Sequence, residues 1–100
     1  MGNTTKTQLH LNNYDLTHKY FMKYLFKGMQ SQERFELLLS LTRISSENVI
    51  SALRDYLVRG MDKKAAAITN HVEMPNFSAA LKKLEEKAAI VEMIKEIDGL

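Results

Sequence analysis

Five lysines crowd into the second half of the chain: Lys63 and Lys64, then Lys82, Lys83 and Lys87, with Asn76 and Ser78 between the two groups. An ammonium group is a compact charge that meets phosphate oxygens, and a side-chain amide can read the edge of a base. Phosphate contact is therefore the chemistry this group could perform together. The competing reading is a solvated helical surface, because Asp62, Glu85 and Glu86 are interspersed among the lysines. Asn76 also has two readings, a helix cap or a base-reading amide. Arg54 and Arg59 stand just before the group.

Other chemistries find little support. His10, His18 and His71 have no metal-like spacing, and there is no cysteine to join them or to form a disulfide. Asp55 follows Arg54, but no second carboxylate, nucleophile or glycine-rich phosphate loop accompanies it, so it reads as helix surface. No enzyme, metal, cofactor or small-molecule ligand is expected. A net charge of +2 does not by itself announce a nucleic-acid partner, so the distribution of charge carries more than its total.

The elements that must position these residues are helical. One hundred residues, 45% apolar and 26% charged, suit one ordinary globular domain. The expected fold is all-α with five or six short helices over 14–100, after a flexible polar tail over 1–13. A first helix starts near Asp15 and stops at Gly28. A second is capped by Ser31 and carries Phe35, Leu38, Leu39 and Leu41. A third is capped by Ser46, has Glu47 in its first turn, and buries a face of Val49, Ile50, Leu53, Tyr56 and Leu57 before Gly60. Asp62 caps a short fourth helix. The tail from Ala88 is apolar enough for strand or helix, and Ala, Glu, Lys and Met favour helix. No apolar run approaches 18 residues and no apolar leader follows the N-terminus, so neither a membrane span nor a signal peptide is expected.

The only proline, Pro75, explains the layout of the lysines. Proline is tolerated in the first turn of a helix and disfavours helix in the residue before it. It reads as the end of a tight turn, VEMP, opening a helix at Asn76. The result is a helix-turn-helix over about 62–87. Ala66 and Ala67 are small enough for close helix crossing. Val72, Phe77, Ala80, Leu81 and Leu84 form the buried stripe, leaving Met74, Asn76, Ser78, Ala79, Lys82 and Lys83 outward. His71 stands where the turn usually has glycine.

The stretch from Gly28 to about residue 90 resembles the PapB-like family of fimbrial adhesin biosynthesis regulators. The pieces that carry the resemblance are FELLL after a Gly–Ser loop, ISSENVI, ALRDYLVRG, and NFSAALKKL at its distance from that block. The resemblance implies a small, helical, oligomeric DNA-binding transcription regulator in the bacterial cytoplasm, favouring A/T-rich double-stranded sites. It implies phosphate contact by Lys63, Lys64, Lys82 and Lys83; Asn76 and Ser78, on the outward face of the second helix, complete the expected DNA-contacting set. Lys83 stands where the family has arginine, keeping the charge without the bidentate geometry. Ala66 and Ala67 stand where the family has Val-Cys. Large apolar residues in YFMKYLF, FELLLSL and AAIVEMI exceed what a small core needs, which points to a homo-oligomer. The alternative is a helical interaction module that modulates another regulator without touching DNA.

Overall fold

Two serines start the first two helices among the described residues, as their positions predict. The Arg34 amide donates to the Ser31 hydroxyl (3.1 Å) and α1 runs Gln32–Ser40; the Val49 amide donates to Ser46 (3.4 Å) and α2 runs Glu47–Leu57. Each bond satisfies an amide that has no partner within its helix. The computed structural model describes residues 23–99. Among these residues there is no strand, and two further helices follow: α3, Lys63–Thr69, and α4, Met74–Asp98. The expected tail over 1–13, Asp15 and most of the expected first helix lie outside the described residues.

Among the described residues the helix count differs from the expected five or six for two reasons. Residues 23–26 are irregular rather than helical. There the amides of Tyr24 and Leu25 donate to the two carboxylate oxygens of Glu85 (2.9 and 3.1 Å), and Leu25 is fully buried. This tertiary anchoring outweighs the local helical pattern. Secondly, the segment from Phe77 and the tail from Ala88 form one helix of 25 residues, about 37 Å long. No Pro or Gly interrupts it after Pro75, and its buried stripe of Phe77, Leu81, Leu84 and Ala88 continues across the expected break. It ends at Gly99 in the left-handed region.

The core gathers Leu25, Phe35, Leu53, Leu57, Phe77 and Leu84, all essentially inaccessible. Arg34 ties α1 to the far half of α4 through Glu92 (2.9 Å). The segment before α1 closes the end of α2: Gly28 donates to the Tyr56 carbonyl (2.9 Å) and Gln30 to that of Leu57 (3.0 Å). Gly28 is required there. A Cβ on it would sit 3.0 Å from the Cα of Gly60, and both glycines have positive φ.

Candidate nucleic-acid interface

Helix α3 and the start of α4 are joined by a tight four-residue turn, Asn70–Glu73. Val72 donates to the Ala67 carbonyl (2.8 Å) and His71 to that of Ile68 (3.1 Å). This pair of bonds closes a helix end when the residue after the cap is left-handed. His71 is that residue, with φ of 59°. Ala66 and Ala67 are buried at the crossing, as their size predicts, and Val72 folds back over it.

The turn is also held from α2. The Asn70 side-chain amide donates to Asp55 (2.9 Å) and to the Ala66 carbonyl (2.8 Å), while Arg59 donates to the other oxygen of Asp55 (2.8 Å). Asp55 is only 7% exposed. It is thus not the helix-surface residue expected, but a buried acceptor linking the end of α2 to the end of α3. Tyr56 and Phe77 complete the join, edge to face with centroids 5.9 Å apart.

Helix α4 begins two residues before the expected start. Glu73 is its N-cap, its carbonyl accepting from the Phe77 amide (3.0 Å), and Met74 and Pro75 are its first helical residues. Proline fits the second position as well as the first, since the amides of the opening turn have no intrahelical partner. Asn76 is therefore inside the helix and exposed, and its reading as a cap is overturned. Met74, expected outward, is half-buried against the core.

Lys63, Lys64, Asn76, Ser78, Lys82 and Lys83 are all exposed. At 100° per residue, Asn76, Lys83 and Lys87 fall on one edge of α4, and Ser78 and Lys82 on another. Lys83 and Lys87 share a surface cleft with Leu41, Thr42, Arg43 and Glu86. Lys63, Lys64, Lys82, Asn76 and Ser78 do not line it. The Lys63 ammonium stands 5.8 Å from the Tyr56 ring centroid. Asp62 precedes α3 without bonding its free amides; its carboxylate takes Lys27 instead (2.6 Å). That hydrogen bond, with the charge behind it, holds the Asp62 pKa below and the Lys27 pKa above the ordinary values. Arg43 was not singled out from the sequence. It lies in the loop between α1 and α2, forty residues from Lys83, and only the tertiary fold brings it there.

The family model described as PapB, adhesin biosynthesis transcription regulatory protein, matches residues 6–97. The chain belongs to this family. It is similar to the AFA-III adhesin operon regulatory protein of Escherichia coli, 37% identical over 67 residues, which are 67% of this chain and 66% of that protein. It is similar as well to a second adhesin operon regulatory protein of the same organism, at 38% over 64 residues, which are 64% of this chain and 75% of the relative. The match to the AFA-III protein thus spans just under two thirds of that protein's length. The crystal structure of E. coli FocB superposes with a TM-score of 0.73 at 28% identity, covering 85% of this chain and 97% of FocB. No helix among the described residues is long and apolar enough to cross a membrane.

Proposed function

We propose that the protein regulates transcription of an adhesin operon by binding A/T-rich double-stranded DNA as a homo-oligomer in the bacterial cytoplasm, with α3, the turn and α4 as its helix-turn-helix. The observation that carries the reading is the exposed cationic surface of this unit: Lys63 and Lys64 open α3, while Lys82 and Lys83 lie on two different edges of α4. A helix lying in a groove has a phosphate backbone on either side, so cations on two edges can meet both walls. Asn76 and Ser78, also exposed in the opening turns of α4, are placed to approach base edges. Membership of a transcription-regulator family and the adhesin-operon names of the relatives support the same reading.

The test is a mobility shift on the A/T-rich DNA upstream of the gene, repeated across salt. Each phosphate contact contributes about 0.9 to the slope of log affinity against log salt, so Lys63→Ala with Lys64→Ala should flatten it by up to roughly 2. Binding should weaken equally across sequences. Asn76→Ala should leave the slope unchanged and reduce discrimination between sites by about 1–3 kcal/mol. Wild-type protein that shifts no DNA at low salt would replace this reading with the helical interaction module.

A further inference from the structure

The lysines and arginines among the described residues divide into three sets. Arg34, Arg59, Lys27 and Lys95 pair with carboxylates. Lys23, Arg54 and Lys63 stand over aromatic rings. Among the described residues Arg43, Lys64, Lys82, Lys83 and Lys87 do neither, and three of these five converge on a single cleft. That cleft lies between the α1–α2 loop and α4 and is lined by Arg43, Lys83 and Lys87 with Leu41, Thr42 and Glu86. Lys83 and Lys87 are four residues apart on one helix, an arrangement that destabilises a helix when the charges are alike. Glu86 is the cleft's one carboxylate, and it forms an ion pair with none of the three among the described residues.

We infer that this cleft is a phosphate-binding site for the DNA backbone, with Arg43 as its planar donor and Lys83 and Lys87 as its point charges. The inference rests on the DNA-binding reading and adds residues from outside the helix-turn-helix. A guanidinium grips phosphate through two parallel N–H groups, so Arg43 supplies the directed contact that the lysines of α4 do not. The cleft continues the edge of α4 that carries Asn76, eleven residues and about 16 Å of helix before Lys87. The backbone flanking the bases that Asn76 approaches would continue along that side of the helix to the cleft. A small acidic ligand would engage the cleft alone.

Arg43→Gln combined with Lys87→Gln tests the site, since glutamine retains part of the lysine stem that packs on the helix. Affinity should be measured against salt on the A/T-rich duplex and on an unrelated duplex of equal length. The expected result is a slope flattened by up to about 2, with the same loss on both duplexes and an unchanged melting temperature. Glu86→Gln should act oppositely and tighten binding on both duplexes. A wild-type slope in the double variant overturns the site. If that variant unfolds, Arg43→Gln alone decides, because Arg43 is exposed in a loop: a slope flattened by about 0.9 supports the site, and an unchanged slope overturns it. Saturable calorimetric binding of inorganic phosphate by wild type, with unaltered DNA binding by the variant, would give the cleft to a free phosphorylated ligand and overturn the backbone assignment. Wild-type protein that binds neither duplex fails the DNA reading itself, and this site with it.

Discussion

At the scale of single residues, His71 is the clearest strain. A side chain in the left-handed region crowds the neighbouring backbone, at a cost of roughly 1–2 kcal/mol, and glycine escapes it. His71→Gly should therefore stabilise the protein by about 1 kcal/mol, raising the melting temperature by roughly 4–8 °C for a domain of this size. An unchanged or lower melting temperature in calorimetry would mean that the imidazole makes up for its backbone. The sequence made this position legible, because histidine occupies the usual glycine place of the turn. Asp55 was illegible: beside Arg54 and one turn before Arg59 it looks like an exposed helix carboxylate, and its burial depends on Asn70, fifteen residues on. Asp55→Ala leaves the half-buried Asn70 amide without that acceptor and should cost about 1–3 kcal/mol in urea denaturation. Little of that loss belongs to Arg59, whose side chain is 67% exposed.

At the scale of elements, the legible parts were those governed by neighbours in sequence. Ser31 and Ser46 bond amides three residues ahead, and the apolar spacing of α2 fixes its buried face. The illegible parts depend on contacts across the chain. Glu85 looks like one more surface charge on α4, yet it takes two backbone amides from sixty residues earlier, and a local pattern that favours helix gives way. Glu85→Ala should release this strap, and the amides of Tyr24 and Leu25 should then exchange about tenfold faster or more, since each loses a bond to a charged acceptor. Exchange in α2 should hardly change; equal acceleration there would make Glu85 part of the global core rather than a local strap. Phe77 is the contrasting case, buried completely against Tyr56. Phe77→Ala should cost about 3–5 kcal/mol and loosen α2, α3 and α4 together. An unchanged melting temperature would show that the aromatic does not lock them.

At the scale of the whole molecule, the apolar surplus seen in the sequence proves to be only partly surplus. Leu38 is buried, and Leu39 and Val91 pack against the core. Those that remain outside among the described residues include Phe26, Leu37, Leu41, Ile94 and Ile97, the last 84% exposed. The end of α4 is distinctive: Ile90, Met93 and Ile97 recur at spacings of three and four, the seam of a coiled coil, on the side of the helix turned away from Phe77, Leu84 and Ala88. This is the surface through which the proposed homo-oligomer is expected to form. Light scattering at high micromolar concentration should report at least two copies of the 11.5 kDa chain. Ile94→Glu with Ile97→Glu should return the monomer while leaving the helical circular dichroism intact, because both side chains already face water. DNA affinity should fall in that variant without any change in the lysines, since two tethered helix-turn-helix units bind through a raised effective concentration and one unit does not. A wild-type mass of a single chain would remove the oligomer from the reading. An assembly that survives both charges would move the interface to Leu37 and Leu41.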